Sequence, residues 1–414
     1  MSKKITWIGL SLLMILSLVL SACQPQAPQP TEPAAATEPA AEEDTLIFGM
    51  LLVGPYNDHG YSEAHYIGGQ YVMENLPGTE MKYIDKVNTG DRPGTTPAQL
   101  AEELVNQGAT VIIFNSDDMK DSAVEFAQNH PDIITIHASG DSAWQEGENY
   151  VDAANLSNVF GRMEYGKMIA GCAAALTTQT DQIGYLGPLI NDETRRLAAS
   201  VYLGARYCYE NYAGKDPADL TFRVSWIGFW FNIPGVTSDP TQVADEFINS
   251  GADVIISGID TTEALAQAVK ATEAGKSVYA IPYDYEGACE EGANVCLGVP
   301  YFNWGPIYLK YLREIKETGQ FPRRFEWLDP DWANINNPDT SIVGFLKGEA
   351  LSEEASQKLD QFIAELAGGL NLWEGPINLQ DGTPYIEEGR AATDHEIWYL
   401  PQLLEGMQGQ SVAE

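Results

Sequence analysis

Four aspartates stand just past short apolar runs: Asp58 after Leu46–Val53, Asp117 after Val111–Asn115, Asp260 after Val254–Ser257 and Asp284 after Val278–Pro282. Aromatic residues crowd the same places. Tyr56 and Tyr61 flank the first loop, Trp226, Phe229, Trp230 and Phe231 gather around the end of Phe222–Ile227, and Tyr301, Phe302 and Trp304 follow Val295–Pro300. Taken singly, a post-strand aspartate is most often a helix N-cap and a lone aromatic is most often packing. Asp260, before Thr261-Thr262-Glu263, fits a cap, and Asp58, close to Gly60, fits a turn. Together they suit a flat heterocycle with polar edges: rings cover its π-faces, and carboxylates and amides meet the groups on its rim.

Bond-breaking chemistry is not signalled. The chain has no His-Glu-x-x-His, Gly-x-Ser-x-Gly or Gly-x-Gly-x-x-Gly. Gly275-Lys276-Ser277 has the end of a phosphate-binding loop, but Lys270 occupies the place of its first glycine and a strand follows. His59 and His65 do not share a helical face, so a metal pair is not expected there. The expectation is a binding protein with no catalytic residue, cofactor or metal. The rival class is a nucleoside or glycoside hydrolase that uses two cleft carboxylates as acid and base.

The elements that would position these residues alternate. Apolar, β-rich runs occur at Leu46–Val53, Met81–Val87, Val111–Asn115, Ile133–His137 and Tyr150–Ala154, and again at Ile183–Leu186, Phe222–Ile227, Val254–Ser257, Val278–Pro282 and Val295–Pro300. Amphipathic segments such as Pro97–Gln107, Met119–Asn129, Thr241–Ser250 and Thr262–Ala274 lie between them. Such alternation predicts an α/β fold with parallel sheets covered on both faces. So many strands fit two lobes better than one open sheet. A repeat supports this: Gln99–Ile113 recurs as Gln242–Ile256, identical at nine of fifteen positions with a constant offset of 143, which sets Asp117 opposite Asp260. Gly54–Asp58 is echoed more weakly by Gly187–Asp192; convergence of helix–glycine–strand units is the alternative. Ligands of open α/β sheets collect beyond the carboxyl ends of the strands, so facing lobes would bring Asp58, Asp117, Asp260 and Asp284 to one cleft.

The N-terminus addresses the protein. Lys3 and Lys4 precede an apolar stretch from Ile5 to Ala22, and Leu20-Ser21-Ala22-Cys23 has the form of a lipobox, predicting a signal peptide over 1–22 and acylation of Cys23. A single transmembrane anchor is the alternative. Residues 23–44, rich in Pro, Ala and Glu, read as a disordered tether, and the folded body begins near Thr45. The formal charge of −36, from 59 acids against 23 bases, excludes a nucleic-acid partner and an anionic membrane surface. Cys289 and Cys296 bracket a short loop and are a candidate disulfide; Cys172 and Cys208 are either buried thiols or a bridge.

The motifs Gly54-Pro55-Tyr56-Asn57-Asp58-His59-Gly60-Tyr61, Ile112-Ile113-Phe114-Asn115-Ser116, Gly161-Arg162-Met163-Glu164-Tyr165-Gly166 and Trp230-Phe231-Asn232, with Asp260-Thr261-Thr262 and Asn303-Trp304-Gly305-Pro306, resemble the BMP (basic membrane protein) family of ABC-transporter substrate-binding lipoproteins. The resemblance covers about 45–400. It implies a type I periplasmic-binding-protein fold: two Rossmann-like lobes joined by three crossovers, one formed by 45–156 with about 301–325, the other by about 157–300 with 326–414. It also implies a monomeric, lipid-anchored extracytoplasmic receptor that hands its ligand to a permease and an ATPase. Family members bind purine bases or nucleosides. Members that hold ribose use an Asp–Asn pair and a Lys; here Asp58 is present, but Phe302 stands near the Lys position. The motifs are closer to the branch that takes free purine bases such as adenine. The implied ligand-binding set is Asp58, Tyr61, Ser116, Trp230, Asp260, Asp284 and Trp304, with Tyr61 and Trp230 stacking. A purine nucleoside or a sugar is the alternative ligand. Trp373-Glu374-Gly375-Pro376 resembles the family's terminal hairpin region.

Overall fold

In the computed structural model, which describes residues 45–413, the two copies of the repeated segment fold alike. Thr96 and Asp239 each accept a backbone amide at the start of a helix, Pro97–Asn106 in one copy and Pro240–Asn249 in the other. Each helix begins with proline, whose missing N–H is not needed there. Such caps stabilise by about 1 kcal/mol. Gly108 and Gly251 follow with φ of +96° and +105°, a backbone that glycine adopts without steric cost. They turn the chain into strands Val111–Phe114 and Val254–Ser257, buried along their whole length. Cys23, the signal segment 1–22 and the tether 23–44 lie outside the described residues.

Numbered along the chain, the strands are β1 (Leu46–Leu51), β2 (Thr79–Ile84), β3 (Val111–Phe114), β4 (Ile134–Ala138), β5 (Leu156–Gly161), β6 (Gln182–Gly187), β7 (Thr221–Trp226), β8 (Val254–Ser257), β9 (Tyr279–Ile281), β10 (Gly298–Phe302), β11 (Phe325–Leu328), β12 (Val343–Lys347), β13 (Ile377–Asn378), β14 (Pro384–Ile386) and β15 (Met407–Gln408). The first sheet runs β11-β5-β4-β3-β1-β2 and the second β15-β7-β6-β8-β9. Every neighbouring pair in both is parallel. The series β2-β1-β3-β4 in one matches β7-β6-β8-β9 in the other, so β1 corresponds to β6 and β3 to β8. These are the strands on which the repeat and its weaker echo fall.

The chain crosses between the lobes three times: from β5 into the helix Met163–Thr177, from β10 into the helix Gly305–Thr318, and from β11 to β12. Met163–Thr177 packs on Asp192–Asn211 of the second lobe, and Gly305–Thr318 on Tyr61–Asn75 of the first. β10 and β12 pair antiparallel at the crossing. This is the type I two-lobed α/β arrangement.

Two expectations need correction. No strand forms at Tyr150–Ala154; the strand is β5, six residues on, where Ser157 and Asn158 interrupt the apolar pattern. Both are buried, and Asn158 satisfies its amide on the backbone of Ala143 and Ser139, which makes a polar residue tolerable in a central strand. The segment from 326 onward does not all go with the second sheet. β11 pairs with β5 in the first, and Trp398 packs on Trp144, Phe325 and Trp327 beside it at 5.8, 5.3 and 4.9 Å. The helix that carries Trp398 also packs on Asp192–Asn211, and the chain ends in the second sheet as β15. Both cysteine pairs are bridged, Cys172 to Cys208 and Cys289 to Cys296. Among the described residues no helix is long and apolar enough to cross a membrane.

Candidate functional site

A narrow, nearly filled cavity lies between the carboxyl ends of the two sheets, its volume of about 10 Å³ leaving room for about one water molecule. The first lobe contributes Tyr61, the opening residue of the helix after β1, together with Ser116 and Asp117 from the loop after β3. From the second lobe come Trp230 after β7, Asp260 after β8, Tyr283 and Asp284 after β9, and Glu193 at the start of the helix after β6. The parallel topology accounts for this convergence, since every one of these positions follows the same end of its strand.

The walls hold polar atoms without partners. Both carboxylate oxygens of Asp284, Oδ2 of Asp260 and the indole N–H of Trp230 are buried with no hydrogen bond from the protein. Asp284 is fully buried and has φ of +74°, uncommon for a residue with a side chain. Its backbone is fixed by β10: its N–H donates to Pro300 O at 3.1 Å and its carbonyl accepts from Phe302 N at 3.0 Å. Burial pushes Asp260 and Asp284 well above the usual carboxylate range, Asp284 and Asp58 adding to the shift at Asp260. Burial also lifts Glu193 to about 8, against the pull of Arg196. An unpaired buried polar group costs roughly 1–3 kcal/mol. The residues that carry these atoms all line the one cavity, whereas buried polar groups ordinarily have partners.

The lobes meet across this space. Asn191 Nδ2 donates to Asp117 Oδ2 at 3.0 Å, linking the second lobe to the first. Gly60 lies flat against the backbone of Asp260, where an added Cβ would fall 1.7 Å from the carbonyl oxygen. Only glycine permits that approach.

Not every expected residue reaches the cavity. Tyr61, Ser116, Trp230, Asp260 and Asp284 line it. Asp58 does not: its carboxylate accepts the backbone amides of Gly60, Ser62 and Glu63 and so caps the first helix. Trp304 is fully buried behind the site, stacked on His65 at 4.1 Å and Phe302 at 5.0 Å, and touches Tyr61 edge-on at 6.1 Å. It supports the wall and does not form it. Ser116 both lines the cavity and caps the turn at Asp117–Met119 by accepting from Asp118 N. Missed altogether were Glu193, Tyr283 and Lys167. Glu193 adjoins Asp192 of the weak echo, and Lys167 is the single cation in the otherwise small and apolar stretch Gly166–Ala175; those were the signals available.

A family model described as ABC transporter substrate-binding protein PnrA-like, Bmp, matches residues 46–323. The chain belongs to this family. It is therefore a substrate-binding protein of an ABC transporter, not an enzyme; it works outside the cytoplasm, binding a small molecule for delivery to the transporter's permease and ATPase. A purine-binding protein of Brucella abortus is 24% identical over 363 residues, covering 86% of this chain and 91% of its own. A putative ABC transporter glucose-binding protein of Haloferax volcanii is 26% identical over 280 residues, 67% of this chain and 63% of its own. Among solved structures, an ABC-transporter solute-binding protein from Aeropyrum pernix K1 superposes with a TM-score of 0.62 at 12% identity, over 85% of this chain and 95% of that one. Another from Conexibacter woesei gives 0.55 at 14% identity, over 78% and 97%. These structures share the fold.

Proposed function

We propose that this substrate-binding protein captures a purine base, adenine-like, between Tyr61 of the first lobe and Trp230 of the second. The observation that carries the proposal is the set of unpartnered atoms in the cavity: carboxylate acceptors at Asp260 and Asp284 and one donor at Trp230 Nε1. A purine base offers N–H and amino donors and ring-nitrogen acceptors on its rim and two π-faces for the rings. The Brucella relative, which covers most of both chains, supports the same ligand class. Cys23, acylated, would hold the protein at the membrane as a monomer.

A purine nucleoside is the second reading, and one observation favours it. Next to the cavity, sharing Asp117 and Glu193 with it, is a polar space that includes Asn149, Asn191 and Arg196, where Arg196 Nη2 is buried without a partner. Hydroxyl groups would suit that space.

Titration calorimetry of the ligand-free protein decides between them. Saturable heat with adenine, guanine or hypoxanthine, stronger than with adenosine or inosine and absent with glucose, is the expected result. Tighter binding of the nucleosides would transfer the assignment to the second reading, and silence for every purine would end both.

A further inference from the structure

The cavity's carboxyl groups share their surroundings with one buried amine. Lys167 is completely buried on the helix Met163–Thr177. Its Nζ donates to the Ser257 carbonyl oxygen at 3.0 Å and lies 3.0 Å from the centre of the Tyr283 ring. The titratable groups that act on it are Glu193 from the adjoining helix, Asp260 from the loop after β8 and Asp284 from the loop after β9, with the rings of Tyr283 and, 5.8 Å away, Tyr185 of β6 beside it. Thus the ammonium stands behind the wall, with the Tyr283 ring against it and Asp284 as the next residue along the chain. Asp284 keeps an unusual backbone conformation and two unpartnered oxygens, an arrangement that persists only when its neighbours hold it. A cation against the face of Tyr283 is such a hold.

Resting on the purine reading above, we propose that Lys167 determines the specificity of the site: seated behind Tyr283, it supports the loss of a proton from Asp284 when ligand enters, so that bound Asp284 is an acceptor-only carboxylate and the ligand is selected by its N–H donors. A carboxylate without that support takes a proton, and then donates one hydrogen bond while accepting another, which matches a rim with an acceptor beside a donor. Burial raises Asp284 well above the usual carboxylate range in the empty site and lowers Lys167 to about 7; Lys167 opposes the first shift, and the carboxylates of Asp284, Asp260 and Glu193 oppose the second. Lys167 is a positioning residue, since it acts through Tyr283 and Asp284.

Lys167→Met keeps the aliphatic stem and removes the charge. Calorimetry with adenine, guanine and hypoxanthine, run in two buffers of different protonation enthalpy, reads affinity and the protons exchanged on binding. Wild type is expected to release protons as it binds its preferred purine near neutral pH, because the bound state requires Asp284 ionised. The variant should bind that purine about tenfold or more weakly, with a changed order of preference among the three bases and a changed proton count. Equal affinity, order and proton count in a folded variant would overturn the role of Lys167 while leaving purine binding intact. Heat from none of the bases would instead remove the purine reading on which it rests. Should thermal melting show that Lys167→Met does not fold, the wild-type proton count decides: binding without proton release overturns the proposal.

Discussion

Asp117 and Asp260 occupy the same place in two copies of one structural unit, and they do different things. Asp117 is half-buried and takes a hydrogen bond from Asn191 of the opposite lobe. Asp260 is buried and keeps one oxygen unpartnered in the cavity. The asymmetry extends to the lobes as wholes. On the first lobe, Asp58 spends its carboxylate on three amides and Ser116 caps a turn. The second lobe holds the unsatisfied acceptors at Asp260 and Asp284, the free indole N–H of Trp230, and both disulfides. At the cavity, the first lobe's Asp58 and Ser116 are thus satisfied locally, while the second lobe carries the unpartnered carboxylate and indole atoms and is the lobe that is cross-linked.

Removing that cross-linking should have the largest effect. Cys172 and Cys208 are 36 residues apart, against 7 for Cys289 and Cys296. Loop entropy gives about 4 kcal/mol for the longer bridge and about 2 kcal/mol for the shorter. Replacing Cys172 and Cys208 by alanine should therefore lower the free energy of unfolding more than replacing the other pair, as read by denaturant titration. Equal losses would mean that the bridges do not act by constraining the unfolded chain.

The stored carboxyls next predict a pH slope. Glu193, raised to about 8, binds a proton in the folded state that the unfolded chain releases near the ordinary carboxylate value, so folded stability falls as pH rises through that interval. Asp58, raised to about 6, adds a fall of the same sign up to that pH. Lys167, lowered to about 7, acts oppositely, but only above that value. From about pH 5 to 7 one proton difference is worth roughly 2–3 kcal/mol. The ligand-free protein should melt higher at the acidic end, and Glu193→Gln should make the slope shallower by one proton, the raised Asp260 and Asp284 keeping the same sign in what remains. A slope unchanged by that substitution would locate its origin elsewhere.

The duplicated aspartates can be compared directly. Asp260→Asn should weaken purine binding by about 1.5–3 kcal/mol, the worth of a hydrogen bond to a charged group, and leave the melting temperature equal or higher because a buried unpaired carboxylate is gone. Asp117→Asn should cost binding no more than about 1 kcal/mol, the worth of one ordinary hydrogen bond lost between the lobes. Similar losses in both would dissolve the distinction between latch and ligand contact.

How much of this the residues announced beforehand follows the same division. The repeat at a constant offset foretold two matching lobes, and the strand-end position of Asp260, Asp284 and Trp230 foretold the cavity. Whether a given strand-end aspartate faces a ligand or its own helix was not visible, because both uses require the same residue type after the same kind of strand. Lys167 and Glu193 escaped notice because each lies on a helix, and their approach to the cavity depends on how Met163–Thr177 and Asp192–Asn211 pack together. The strand β5 was missed because Ser157 and Asn158 are buried by tertiary hydrogen bonding that a local apolar pattern does not register.

Asp58 gives the smallest effect and the finest test of the asymmetry. It is the aspartate that the family resemblance would place on the ligand, yet its oxygens accept from Gly60, Ser62 and Glu63 at 3.0, 3.2 and 3.0 Å. A carboxylate so used is a helix cap, and its removal costs about 1 kcal/mol of stability. Asp58→Ala should accordingly lower the melting temperature by a few degrees and change purine affinity only through a looser Gly60, the residue pressed against the Asp260 carbonyl. Calorimetry at a temperature where both forms are fully folded separates the two contributions: binding within about threefold of wild type, less than 1 kcal/mol, identifies a cap. A much larger loss of affinity with an unchanged melting temperature would instead make Asp58 a ligand contact, and the first lobe would then share the polar recognition assigned to Asp260 and Asp284.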